Sequence, residues 1–112
     1  MMKKILFLTL LLLFKASYAQ NAEVKFEQCR AKLIKAQKLD LLKDLDWKKG
    51  SNPKVVVGPT FFKVDFATKE GFAETVSCFL VVGEDKCINY KLTHWMTGKD
   101  VGSFYNCKFK MN

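Results

Sequence analysis

A carboxylate, an imidazole and a hydroxyl stand at intervals that could place them on neighbouring strands: Glu74, His94 and Ser103. Adjacent strands lie about 4.8 Å apart, so three such groups on one face could touch in turn. An acid that orients a histidine, which takes the proton of a serine, is the machinery of acyl transfer, and it is recognised by roles rather than by order along the chain. Ser103 lacks the company that this chemistry needs. No strained nucleophile elbow presents it, and no glycine-rich segment offers an oxyanion site. The three residues therefore read as a polar rim, with a small hydrolase as an alternative. The chain reads as a protein without catalysis or cofactor.

Four cysteines, Cys29, Cys78, Cys87 and Cys107, carry the second kind of chemistry. No Cys-x-x-Cys pair occurs and His94 is the single histidine, so the ligand spacing of structural zinc is missing. What the thiols mean depends on the compartment. Lys3 and Lys4 open the chain, Ile5 to Phe14 is apolar except for Thr9, and Ser17-Tyr18-Ala19 has the small-x-small form that a signal peptidase cuts. The apolar run is shorter than the roughly 20 residues that span a bilayer. It reads as a bacterial-type export signal, residues 1–19, cleaved after Ala19 and leading to the periplasm or the medium. Exported thiols meet oxidising conditions, so the four cysteines read as two disulfides.

Residues 20–112 then form a single small domain. The chain is 49% hydrophobic and 13% aromatic, with ten Phe and two Trp, which suffices for one dense core and excludes a disordered tail or a large enzyme barrel. Taking Lys3, Lys4 and Lys15 from 19 basic residues leaves 16 against 11 acids, a net charge of +5. Charge of this size serves solubility and permits weak contact with polyanions.

The elements that must position these residues follow from periodicity. Phe26, Cys29, Leu33 and Ala36 recur three or four apart, which predicts a helix within Ala22–Leu45. Asp40 could cap a second short helix carrying Leu41, Leu42 and Leu45. Gly50-Ser51-Asn52-Pro53 breaks the pattern. Strands are then predicted at Lys54–Val57, Thr60–Ala67, Gly71–Val82, Lys86–Met96 and Val101–Met111, joined by hairpin-length connections. The fold class is α+β: an N-terminal helix packed on a four- to five-stranded antiparallel meander sheet, in two layers stapled by two disulfides.

Pairing Phe66 with Phe72, Leu80 with Ile88, and Tyr90 with Cys107 gathers apolar residues on one face. That face reads Phe62, Val64, Phe66, Phe72, Val76, Cys78, Leu80, Ile88, Tyr90, Leu92, Tyr105, Cys107 and Phe109, and the helix should cover it. The opposite face would carry Phe61, Phe79, Val81, Trp95 and Phe104 among Lys63, Lys91, Lys108 and Lys110. Aromatics among cations on an open sheet bind protein partners, sugars or single-stranded nucleic acid. A protein partner in the envelope or outside the cell is the expectation, contacted by Phe61, Lys63, Phe79, Lys91, Trp95, Phe104 and Lys108. For the disulfides, Cys29–Cys78 with Cys87–Cys107 is expected, the latter through a bulge near Tyr105-Asn106. The alternative is Cys29–Cys107 with Cys78–Cys87.

Lys54-Val55-Val56-Val57-Gly58, after a helix and before a Phe-rich segment, is similar to the Gln-x-Val-x-Gly loop of cystatins. Trp95, with Cys87 and Cys107 around it, resembles the Pro-Trp hairpin and last disulfide of that family. Lys54 stands in place of the Gln and His94 in place of the Pro. The resemblance implies a cystatin-like shape in which Val56, Gly58 and Trp95 form a wedge that plugs a papain-like cysteine protease. The strand count above places Gly58 and Trp95 at opposite ends of the sheet, so inhibition is an alternative function.

Overall fold

A computed structural model describes residues 21–48 and 51–112. The export signal expected at residues 1–19 lies outside the described residues. Helix α1 runs over 21–38, followed by strand β1 (Leu42–Asp46), strand β2 (Lys54–Val57), a 3-10 turn (Pro59–Phe62), helix α2 (Phe66–Leu80), and strands β3 (Tyr90–His94), β4 (Asp100–Tyr105) and β5 (Lys108–Met111). The sheet order is β1-β2-β3-β4-β5. All neighbours are antiparallel except β2 and β3, which are parallel and joined through α2. The class is α+β, with two helices on a mixed sheet in place of one helix on an antiparallel meander.

The stripe of α1 buries Cys29, Leu33 and Ala36, as its spacing requires. The helix stops where Asp40 turns to φ 60°. The Asp40 N–H donates to the Gln37 carbonyl and the Leu41 N–H reaches back to Ala36 at 2.9 Å, a Schellman closure. Asp40 thus ends one helix and does not cap a second. Leu41, Leu42 and Leu45 have helical spacing, yet Leu42 and Leu45 lie in β1 and Leu41 just before it. Register slips between Leu42 and Asp44, and this bulge brings both Leu42 and Leu45 to the core side.

The segments expected as two strands, Thr60–Ala67 and Gly71–Val82, are instead the 3-10 turn and α2. Asp65 caps α2: its carboxylate accepts the Thr68 N–H at 2.9 Å, and the hydrogen bonds from Thr68 hold that carboxyl below the usual carboxylate range. One face of α2, with Phe72, Ala73, Val76, Ser77 and Leu80, is buried. Phe72, Ala73, Val76 and Leu80 join Leu33 and Ala36 of α1 and Leu42, Val55, Val57, Leu92, Phe104 and Phe109 of the sheet in one core. A fully buried side chain of this kind contributes about 1.5–3 kcal/mol. The Tyr90 hydroxyl donates to the Ala73 carbonyl, fastening β3 to α2. Burial, and secondarily Glu74, push that phenol above its ordinary range.

Past Leu80 the chain turns at Val82 (φ 56°) and Gly83 (φ 74°). Gly83 packs so tightly on α1 that a Cβ there would stand 2.1 Å from the Ala22 carbonyl oxygen. Val82 points outward, 56% exposed. A left-handed backbone costs an L-residue about 1–2 kcal/mol, and β-branching adds to it. Val82→Asn should therefore raise stability by about 1 kcal/mol, several degrees in thermal midpoint for a domain of this size. A lower midpoint on thermal unfolding would show that the valine side chain outweighs its backbone cost.

The disulfides are Cys29–Cys78, joining α1 to α2, and Cys87–Cys107, joining the approach to β3 to the turn before β5. Among the described residues no cysteine is free. The first expected pairing holds and the alternative does not. The bulge that was to permit Cys87–Cys107 is absent from Tyr105-Asn106. Instead Val101–Met111 is two strands, β4 and β5, linked by a tight turn at Asn106 (φ 51°) and Cys107 (φ 64°). That turn carries Cys107 to Cys87, with Cα atoms 5.4 Å apart.

Candidate functional site

The parallel pairing of β2 and β3 decides which side chains meet. Lys54 lies beside Lys91, and Val57 beside His94, so both strands leave the sheet at the same end. The chain exits β2 through Gly58 and Pro59 into the 3-10 turn, whose consecutive phenylalanines face opposite ways. Phe61 is fully buried; Phe62 is 39% exposed. The Phe62 ring meets the His94 ring at 5.2 Å and the Trp95 ring at 6.0 Å, and His94 stacks on Trp95 at 4.1 Å. Met96, 75% exposed, stands beside them at the head of the β3–β4 turn.

This end of the sheet is closed by a hydrogen-bonded turn. His94 Nδ1 accepts the N–H groups of Met96 (3.1 Å) and Thr97 (3.4 Å). The His94 carbonyl accepts the Gly98 N–H, and its own N–H donates to the Lys99 carbonyl. Gly98 supplies the positive φ of 70° that closes the turn. Aromatic and thioether surface held in one geometry loses little conformational entropy when a partner covers it.

The triad expectation fails on placement. Glu74 lies on α2, so its assigned strand register does not exist. Ser103 is in register with Lys91 and Lys110 on the sheet face away from the helices, while His94 lies on the helix-side parity and spends its Nδ1 on the turn. The structure does not bring the three together. Among the described residues no group of three His, Cys, Asp or Glu side chains could hold a metal ion.

The seven expected contact residues are divided among different surroundings. Phe61 and Phe104 belong to the core, at 0% and 1% exposure. The expected pairing of Tyr90 with Cys107 is in fact Tyr90 with Phe104. A slip of three residues, being odd, turns every side chain of β4 to the other face. Tyr105, expected inside, is accordingly exposed, and so are Phe62 and Phe66. Phe79 is half-buried between the helices, stacked on Phe26 at 5.2 Å, and Val81 is buried. Lys63 is exposed next to Phe62, Trp95 is half-buried in the aromatic cluster, and Lys91 and Lys108 lie on the open sheet face. Sequence reading missed Phe62 and Met96. Pro59 at the start of the 3-10 turn was the available signal for Phe62, because Gly58-Pro59 ends a strand and makes the following Phe pair part of a turn.

Gly58 and Trp95 lie at the same end of the sheet, against the expectation of opposite ends, because α2 replaces the two strands that set the parity. Gly58 does not protrude, however. Its N–H donates to the Leu41 carbonyl at 2.9 Å, and a Cβ there would meet the Asp40 carbonyl oxygen at 2.2 Å. No protein-family model matches the chain, and neither the curated proteins nor the solved structures searched contain a match.

Proposed function

We propose that this chain is an exported, non-catalytic binding module that holds a protein partner in the periplasm or outside the cell. The observation that carries the reading is the ordered aromatic end of the sheet, where Phe62, His94 and Trp95 stack and Met96 stands clear. Aromatic anchors of this kind dominate interface energy. Two disulfides, and the absence among the described residues of any helix long and apolar enough to cross a membrane, are compatible with an extracellular or periplasmic location. Trp95→Ala should cost partner binding about 2 kcal/mol, roughly thirtyfold in Kd, with a small effect on the thermal midpoint. The check is quantitative capture from native envelope and culture medium by wild type and variant. Equal recovery of every captured protein would overturn the assignment of this end of the sheet.

A second reading is favoured by one observation, the register of Val57 beside His94 that places Gly58 and Trp95 at one end. It is inhibition of a papain-like cysteine protease, for which the resemblance supplies the wedge residues Val56, Gly58 and Trp95. The buried, pinned Gly58 argues against it, and titration of active papain decides. The binding-module reading expects full residual protease activity at stoichiometric excess.

A further inference from the structure

Strand β5 is an edge of the sheet, with β4 as its one neighbour. The other edge, β1, is interrupted by its bulge, whereas β5 keeps an unbroken register with β4 from Lys108 to Met111. The tight turn at Asn106-Cys107 makes Tyr105 and Lys108 a hydrogen-bonded pair. Past Met111, the Asn112 N–H still donates to the Val101 carbonyl at 3.2 Å. Bonded and non-bonded pairs alternate along an antiparallel ladder, so Lys108, Lys110 and Asn112 turn their N–H and C=O groups toward β4. Phe109 and Met111 turn theirs outward. Among the described residues no other backbone segment bonds to these outward groups. On the helix side of the edge, Phe66 is 53% exposed and its ring lies 5.4 Å from that of Phe109. Met111, on the same face as Phe109, is half-buried. On the open side Lys108 and Lys110 are exposed, and no carboxylate among the described residues lies within ion-pair distance of either. Their cross-strand partners, Tyr105 and Ser103, carry no charge. Asp100 lies beyond the last pair of this ladder, Gly102 with Met111, and is engaged by Lys91 at 3.4 Å. Asp46 is on β1, at the opposite edge. Asp65 and Glu70 belong to the start of α2 on the helix side, where the Asp65 carboxylate is spent on Thr68.

We infer that β5 accepts an extended peptide segment of another protein, which adds to the sheet as a further strand and alternates apolar with acidic side chains. In strand addition the backbone bonds supply affinity and the alternate side chains supply specificity. The apolar residues of the segment cover Phe66 and Met111, and its acids stand beside Lys108 and Lys110, where opposite charges across strands stabilise the pair. A second copy of this chain does not fit the same edge. Antiparallel registers that engage Phe109 with β5 of another copy set lysine directly opposite lysine, and like charges so placed destabilise a sheet. Lysines at an edge guard against such self-pairing. The same two charges admit a strand that carries acids. This surface is separated from β3 and the aromatic end by β4, so the inference does not depend on the stacked rings there.

The test is titration of the 15N-labelled full chain with an octapeptide of alternating Val and Glu, with its Val and Lys counterpart and polyglutamate as separate arms. Amide shifts along β5 and slowed solvent exchange at the Phe109 and Met111 N–H groups are expected, with affinity that weakens as salt rises. Met111→Pro removes one outward N–H and leaves the bonds between β4 and β5 in place, so it should cost at least about tenfold in affinity, while Met111→Leu retains binding. A Lys108→Glu/Lys110→Glu variant should reverse the preference, losing the Glu peptide at least about tenfold and gaining the Lys peptide. The spectrum of each variant reports whether it is folded, and the charge reversal decides if Met111→Pro does not fold. Unchanged exchange at Phe109 and Met111, equal response to the Lys peptide or to polyglutamate, or wild-type affinity in folded Met111→Pro would each overturn the inference. Concentration-dependent protection of the same amides without peptide would overturn it too, by making a second copy the occupant. Peptide binding at β5 and capture through Trp95 are read separately, so either can fail alone.

Discussion

A Cys29→Ser/Cys78→Ser variant should lose about 4 kcal/mol of stability, the larger of the two disulfide contributions. The bond closes a sequence separation of 49 residues, against 20 for Cys87–Cys107. Loop-closure entropy scales with the logarithm of that length, which gives about 4 and about 3 kcal/mol respectively. Placement reinforces the difference. The bond ties α1 to the middle of the molecule, whereas Cys87–Cys107 closes a turn whose strands already pair. Without Cys29–Cys78, α1 is held by its apolar stripe, the Phe26–Phe79 stack and the Asp40 closure. A small domain has a net stability of only about 5–15 kcal/mol, so the loss should lower the thermal midpoint by well over ten degrees. Denaturant unfolding of wild type and double variant measures it. A loss below about 1 kcal/mol would mean that helix packing alone fixes α1.

The parts of the fold legible in the sequence are those where one period excludes the other. Phe26, Cys29, Leu33 and Ala36 fit a helix and no strand, and Val55 and Val57 around Val56 fit a short strand. Helix α2 was hidden because Phe72, Val76 and Leu80 recur every four residues, a spacing common to helical and alternating patterns. Two details break the tie. Asp65 and Thr68 form a cap, and the odd positions Ala73 and Ser77 are buried with the even ones. In β1 the ambiguity runs the other way. Leu42 and Leu45 are three apart, as on a helix, and a bulge allows a strand to bury both. The turn at Asn106-Cys107 carries no glycine, so a hairpin read as one strand. Cys107 adopts its positive φ in a residue type that rarely does, in a position the disulfide also fixes.

The candidate site was legible only in fragments for the same reason. Trp95, Lys91 and Lys108 are at the surface or near it, but their neighbours depended on registers that a missed helix displaced. Parity errors propagate: once α2 is a helix, β2 runs parallel to β3, and two loops expected at opposite ends converge. Phe62 could not be assigned to the aromatic cluster while Thr60–Ala67 read as a strand that pointed it inward.

The Phe61-Phe62 pair therefore gives the sharpest contrast that single substitutions can measure. Phe61→Ala should destabilise by about 3–5 kcal/mol, the range for truncating a core aromatic. Its ring is fully buried and lies 5.3 Å from Phe62, 6.0 Å from Phe72 and 6.2 Å from Phe109, with the Lys69 ammonium 5.6 Å above it. It thus joins the 3-10 turn, α2 and β5 at one point. The backbone around it is fixed as well: the Phe61 N–H donates to Gly58, which is itself bonded to Leu41, so the turn cannot readily collapse into the space left behind. Phe62→Ala should cost only about 1 kcal/mol, because its ring is partly solvated and loses edge and stacking contacts alone. Binding at the aromatic end should respond in the opposite order, falling strongly in Phe62→Ala and remaining intact in the folded fraction of Phe61→Ala. Thermal unfolding together with capture at a temperature where both variants are folded measures the two orders. Equal stability losses would place both rings in the core and remove Phe62 from the contact surface.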